Sequence, residues 1–519
     1  MIIVGAGPAG AAAALGLQGS KVLMLDVGHQ PDPLAKSYDE NYYKYKSASN
    51  KGDELLLGRN YESLHNISQP YLMPKLKAPF QRYVTQARSE LGKVISPDFN
   101  TQLSYAKGGL ANAWGAQLLR YDDDDLKEFP IEYADLEPHY EELEQEIGLS
   151  GANDDLGVIY GSSKNLQAPL EKGKLAKKIL SRYKRKKKSF HKKGFRIGEP
   201  RLGVISESHK GRRPADYNNL EFFKPNVEAN YTPIFTIDRL IAEGELEYLC
   251  GRYVENISDD DICVVHARNL CLGIDEQYLA KKVIICAGAV NSAKLVLKSR
   301  CDYETRLPIM DNSLSLIPFV EVSSIGSALE KKSYYNQLCL AYECEDDKQR
   351  VIGTFYALTG VLATDLMFDL PVAASVMPLI AKNIFPAMLV LHLWYETLPS
   401  SQNWLSLMAD NQLQINYKQI TNKPIEKKAI SILRGLGLIS HSKLIQYPEA
   451  GSSFHYAGTL PMKKEPTSPY QTWVDGRLNG SNNIFVADGS IFPVLPAKNL
   501  SLTIMANALR VARGIGAKV

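Results

Sequence analysis

Ile2-Ile3-Val4-Gly5-Ala6-Gly7-Pro8-Ala9-Gly10 opens the chain, and its reading decides the fold. Three β-branched residues make a short buried strand, and a GxGxxG turn follows. Ala11 to Leu17 is then a helix-forming run. Gly19-Ser20 breaks it, and Lys21-Val22-Leu23-Met24-Leu25 reads as a second strand ending at Asp26. Each glycine has its own task. Gly5 permits the tight turn, Gly7 lets a pyrophosphate approach the backbone, and Gly10 lets helix pack on strand. Pro8 and Ala9 belong to the turn, and the start of the helix that follows favours phosphate through its unpaired N–H groups. Asp26 is placed to accept from a ribose hydroxyl. A purely structural turn would not need strand, helix and acid together, so the expectation is a dinucleotide-binding βαβ unit. The motif does not distinguish FAD from NAD. No second GxGxxG stands in a strand–helix setting, because Gly435-Leu436-Gly437 lacks the third glycine. A separate NAD(P)H domain is not expected.

The 519 residues exceed what one small core needs and predict two interleaved domains. A net charge of +3 provides no global field for nucleic acid, so no nucleic-acid partner is expected. The seven cysteines are odd in number and form no CxxC pair. They fit a reducing, cytoplasmic setting with no metal site. Met1 leads straight into the first strand, without the features of a secretory signal. The apolar stretch 370–395 is interrupted by Pro371, Pro378, Lys382, Asn383 and Pro386. A core helix followed by a strand over 387–395 is expected there, with a monotopic membrane contact as the alternative.

In the middle of the chain, Gly108-Gly109 lets backbone come close to a neighbour, with Asn112 and Trp114 within a turn. Asp122 to Asp125 reads as a solvated loop. Over 129–148 the spacing of Leu136, Tyr140, Leu143 and Ile147 predicts an amphipathic helix, with Asp135 as N-cap and Gly148 as its end. Residues 172–196 are dense in Lys and Arg around Lys184–Lys188. The plain reading is a solvated helix face, and the sharper one is peripheral contact with anionic lipid or a phosphorylated substrate. Strands dominate 246–286. Lys282 to Ala289 followed by Asn291 to Lys298 forms a second strand–turn–helix unit.

The last seventy residues carry the most chemistry. Ser453-Phe454-His455-Tyr456-Ala457-Gly458-Thr459 sets a histidine before a Gly-Thr pair. Asn483 to Ser490 is a strand ending in Asp488-Gly489-Ser490, and Pro496-Ala497-Lys498-Asn499-Leu500-Ser501-Leu502-Thr503 leads into a final helix. These blocks, with the N-terminal turn, Gly108-Gly109, Phe129-Pro130-Ile131 and Cys286-Ala287-Gly288-Ala289, resemble the glucose–methanol–choline (GMC) oxidoreductases over nearly the whole chain. Within that family, Pro-Ala-Lys-Asn and the Trp114 loop look like bacterial members acting on sugars.

The resemblance implies an α/β fold: a Rossmann-like FAD-binding domain interleaved with an α+β substrate domain built on an antiparallel sheet. The expected segments are 1–125, 241–310 and 449–519 for flavin, and 126–240 and 311–448 for substrate. It implies that His455 and Asn499 are the active-site pair. Asp488, Gly489, Leu500 and Thr503 would approach the flavin, Ala287 and Gly288 would form its second turn, and Val254 would meet adenine. Where some relatives carry a histidine that bonds FAD, this chain has Ala113, so noncovalent FAD is expected.

A neutral imidazole near its reference pKa of about 6.5 can take a hydroxyl proton while hydride leaves the carbon. His455 is the candidate base, and the Asn499 amide can donate to the substrate oxygen. Alone, His455 could be a core histidine and Asn499 an N-cap. His65, His139 and His392 have no comparable context. The absence of GxSxG or HExxH removes support for a hydrolase or metalloenzyme. The leading expectation is oxidation of the CH–OH group of a small alcohol or sugar, with oxygen or a quinone-like carrier as acceptor. The alternatives are a flavin monooxygenase and a non-catalytic, membrane-peripheral flavoprotein.

Overall fold

The computed structural model describes residues 1–31, 58, 76, 78–86, 91–217, 227–328, 330, 334, 336–344, 349–358, 373, 375–419 and 424–517. His65, Pro371 and part of the 370–395 stretch lie outside these.

The strand Ile2–Val4 pairs in parallel with Leu23–Leu25 on one side and Val283–Ile285 on the other. Glu247–Leu249 and Ile484–Val486 complete the sheet, all parallel. The two strand–turn–helix units read from the sequence therefore lie side by side. Both faces are covered, which is why these strands are short unbroken apolar runs. The helix Pro8–Gly16 is alanine-rich because it is buried along nearly its whole length. It packs against the C-terminal helix Ser501–Gly516, where a methyl on Gly16 would come within 2.9 Å of the Ala512 Cβ. An antiparallel meander, Arg252–Asp259, Cys263–Asn269 and Ile274–Ala280, fills the expected strand-rich region.

The second layer is a six-stranded antiparallel sheet in the order Leu438–Ile439, Leu314–Glu321, Met388–Tyr395, Gln349–Ala357, Asn336–Cys344, Phe195–Gly198. Side chains alternate across it. Leu389, Leu391, Leu393 and Tyr395 join Val351 and Phe355 in a core shared with the helices Lys174–His191 and Pro424–Arg434. Val390 and Trp394 point the other way, with Leu314, Leu316 and Tyr356. The sheet thus has a helix-backed face and an aromatic face. This is the interleaved α/β and antiparallel arrangement that the sequence led us to expect. The strand expected over 387–395 is Met388–Tyr395, after a short helix Met377–Asn383.

Several local readings need correction. Asp135 does not cap the helix Tyr133–Ile147; it lies in the first turn and accepts from the Glu132 backbone N–H at 2.9 Å. Asp122 to Asp125 is not a solvated loop. Asp123–Leu126 is a helical turn, and Asp125 is buried because two cations converge on this cluster. Tyr133–Ile147 and Pro233–Ala242 pack in the nucleotide-side core, as do Trp404–Leu407 and Leu413–Asn416.

The helix Lys174–His191 lays Ala176, Ile179, Tyr183 and Phe190 on the sheet. Lys178 and Arg182 both reach Glu321, and Lys187 pairs with Asp155, while Lys184, Arg185 and Lys188 are exposed. No helix among the described residues is long and apolar enough to cross a membrane.

Candidate active site

One large cleft runs between the parallel sheet and the aromatic face of the antiparallel sheet. At its nucleotide end, the glycine turn is shaped by close approach. Gly5 has φ +102°, and a Cβ there would stand 2.7 Å from the Cys286 carbonyl oxygen. A Cβ on Gly10 would be 2.0 Å from the Gly5 carbonyl oxygen, whereas one on Gly7 would meet nothing within 4 Å. Gly5, Gly7, Pro8 and Ala9 line the cleft, and Gly10 lies behind them. The helix start, with its unpaired N–H groups, is therefore part of the wall.

Asp26 lines the same end and accepts from the Tyr248 hydroxyl at 3.0 Å. Burial pushes its carboxyl up to about 7, against the hydrogen bond from Tyr248 and the charge of Lys107. Gly108 is left-handed at φ +91° and donates its N–H to the Ala6 carbonyl, carrying Gly109 onto the wall beside Gly7. The buried Asn112 amide donates to the carbonyls of Lys107 and Gly109, closing this loop from behind. Val254, Ala287 and Gly288 line the cleft, as does Ala113.

Asp488 also lines it, yet its carboxylate is taken up by the chain. It accepts from Gly288 N–H at 2.8 Å, Ser292 Oγ at 2.5 Å and Ser490 N–H at 3.0 Å. It knits the second turn to the C-terminal strand. Gly489 and Leu500 are on the wall. Thr503 is behind it, its hydroxyl 2.8 Å from that of Tyr140.

At the other end, His455 and Asn499 line one space with Trp114, Gln117, Tyr356, Trp394 and Phe454. Asn499 does not cap the final helix: Leu500 holds that position with helical dihedrals and no side-chain cap. Its amide is therefore not committed to a cap. His455 follows Phe454, a non-glycine residue at φ +61°, a conformation that costs of order 1–3 kcal/mol. Buried Asp311 holds this bend, accepting from Gly451 N–H at 2.7 Å and from the Ser453 hydroxyl. Burial raises the Asp311 carboxyl to about 7.

The imidazole lies nearly parallel to Trp394, 6.5 Å between centroids, and its Nδ1 is 2.9 Å from Asn312 Oδ1. Burial lowers His455 to about 4, so it is neutral over the working range. His392 sits beyond Trp394, against Tyr356, and is also held neutral by burial.

The residue before Asn499 anchors that loop. Lys498 is fully buried, 2.9 Å from Asp122 Oδ2 and 2.5 Å from Asp125 Oδ2. Arg350 meets the same two carboxylates. Sequence reasoning missed this cluster and the Asp311-Asn312 pair. The cue for the second was three polar residues, Asp311-Asn312-Ser313, between the apolar run Leu307–Met310 and the strand that starts at Leu314.

Among the described residues, no group of His, Cys, Asp and Glu could hold a metal ion. Residues 419–508 match the family model described as GMC oxidoreductase. The chain is 22% identical over 429 residues to 6'''-hydroxyparomomycin C oxidase of Streptomyces lividus, covering 77% of this chain and 74% of that protein. Its fold is similar to that of pyridoxine 4-oxidase from Mesorbium loti, with a TM-score of 0.59 at 15% identity, over 99% of this chain and 98% of that one. The C-terminal block that carries His455 and Asn499 is thus the part the GMC oxidoreductase family model matches.

Proposed function

We propose that the chain is an FAD-dependent oxidoreductase that removes hydride from the CH–OH group of an alcohol, a carbohydrate or a related ring-bearing hydroxyl compound. The observation that carries this reading is that His455 and Asn499 line the same cleft as the glycine turn and Asp26. The nucleotide end suits FAD. Gly7 leaves open space where a pyrophosphate would sit, a helix N-terminus borders it, and Asp26 can accept from ribose hydroxyls. Asp488 hydrogen-bonds to protein, so its contribution is to fix the Gly288 turn. With Ala113 in the Gly-Gly loop, binding is noncovalent.

Bound flavin would supply the hydride acceptor. The chain supplies the rest. His455, neutral and with Nδ1 engaged, offers Nε2 to the substrate hydroxyl proton. Asn499 donates an N–H to the substrate oxygen and holds the carbon–hydrogen bond in register. Trp114, Tyr356 and Trp394 offer flat faces for a ring, and Gln117 adds an amide to the lining. Oxygen or a quinone-like carrier would then take the electrons.

His455→Ala tests this. FAD content should be unchanged, while anaerobic flavin reduction by an alcohol falls by roughly 10²–10⁴, the usual contribution of a positioned base. An unchanged rate would overturn the reading, as would a purified protein that binds no flavin. A panel of sugars, sugar alcohols and small alcohols, followed by admission of air, identifies the substrate and the acceptor.

A further inference from the structure

We infer that Asn312 is a positioning residue that sets the tautomer of His455, holding the proton on Nδ1 so that Nε2 faces the substrate as an acceptor. This rests on His455 being the base.

The argument is one of donors and acceptors. Asn312 is 1% exposed. Its Nδ2 is 2.7 Å from the Tyr395 carbonyl oxygen and 3.1 Å from that of Pro496. A carbonyl oxygen can only accept, so both contacts require the amide NH₂ on that side. The orientation of the carboxamide is therefore fixed by its neighbours. Its Oδ1 is left facing His455 Nδ1 at 2.9 Å, and Oδ1 can only accept. Nδ1 must then carry the hydrogen. In a neutral imidazole the other nitrogen, Nε2, keeps its lone pair.

The same amide ties the two halves of the active site together. Tyr395 belongs to the strand that carries Trp394, the ring lying along His455. Pro496 begins the Pro-Ala-Lys-Asn loop that carries Asn499. One buried side chain thus registers the base, the aromatic wall and the second active-site loop. Asp311, next in sequence, holds the Gly451–Ser453 bend from below and leaves the ring nitrogens untouched. The division is clean: Asp311 shapes the backbone, and Asn312 fixes the ring.

Two substitutions separate this from simple structural support. Asn312→Leu removes both the acceptor and the donors. Asn312→Asp keeps an acceptor for Nδ1 but sets a second carboxyl oxygen, in place of the amide donors, against the two carbonyls. Stopped-flow flavin reduction should show the Leu variant losing at least about 10²-fold in limiting rate with little change in substrate Kd. For comparison, disabling the tautomer-setting carboxylate of a serine-protease triad costs about 10⁴ in kcat. The Asp variant should recover at least about tenfold over the Leu variant. Equal losses in the two variants would overturn the inference, as would a loss confined to Kd.

If either variant fails to fold, ¹⁵N spectra of histidine-labelled native holoenzyme decide the matter. The resonance missing from a His455→Gln sample must show a protonated Nδ1 and a bare Nε2, and the opposite pattern overturns it. Should His455→Ala retain full activity, the proposed function fails first. Should it lose activity while both Asn312 variants fall equally, only this inference fails.

Discussion

Replacing Lys498 by methionine tests whether a buried ion cluster holds the Asn499 loop. The side chain is fully buried, and methionine nearly matches its volume, so packing changes little. What is lost is the cation 2.9 Å from Asp122 and 2.5 Å from Asp125. Arg350 remains, but it is shared with Asp124 and Glu343 as well. Removing one partner of a buried pair typically costs about 3–5 kcal/mol, because the other charge stays desolvated. At about 2.1 cal/mol/K of unfolding entropy per residue, a 519-residue cooperative unit loses roughly 1 °C of Tm per kcal/mol. The expected fall is therefore about 3–5 °C.

The deficit should also depend on pH in a definite direction. Burial already raises Asp125 above its ordinary value, against the pull of Lys498. Without that lysine it rises further. A raised folded pKa contributes stability below the unfolded value and loses it as pH rises. The Lys498→Met deficit should therefore be smallest near pH 4 and grow toward neutrality. Scanning calorimetry of the holoprotein between pH 4.5 and 8 measures it. A deficit under 1 °C, or one that grows as pH falls, would refute the view that Lys498 acts as a counter-ion here.

Two further predictions concern the nucleotide end. Gly10→Ala should sharply lower the yield of folded protein, since its methyl would meet the Gly5 carbonyl at 2.0 Å and backbone cannot yield cheaply. Gly7→Ala meets nothing within 4 Å, so the apoprotein should keep its Tm while FAD affinity, measured by fluorescence titration, falls at least tenfold; equal behaviour of the two variants would contradict the division of tasks. Asp26→Asn should stabilise the apoprotein relative to the parent. The parent carboxyl, moved from near 3.8 up to about 7, loses stability progressively between those values as pH rises. Denaturant midpoints at pH 4.5, 6 and 7.5 should show the gap opening with pH, and a gap independent of pH would count against a desolvated carboxyl.

What the sequence disclosed and what it withheld differ in physical kind. The parallel sheet was legible because strand, turn, helix and acid are consecutive, and local spacing fixes their geometry. The strand Met388–Tyr395 was legible because the interruptions end at Pro386 and an apolar run follows to Tyr395. The Asp122–Asp125 run misled because four acidic residues in a row ordinarily solvate. Only contacts from positions 350 and 498 make one of them a core residue. Asn499 was ambiguous between cap and site for a related reason, since both uses call for the same amide and only the chain path through Leu500 separates them. Asn312 was invisible because its meaning lies in three partners at 395, 455 and 496, each remote along the chain. The pair proposed to do the chemistry was named through the family resemblance of local blocks, but the group proposed to aim the imidazole was not. An aiming group needs no particular residue type nearby in sequence, only the right atom at the right distance after the chain has closed. The strained bend at Phe454 makes the point at the backbone level: a bulky residue at φ +61° is locally unfavourable, and it persists because Asp311, 143 positions earlier, takes up the Gly451 N–H and the Ser453 hydroxyl just before it.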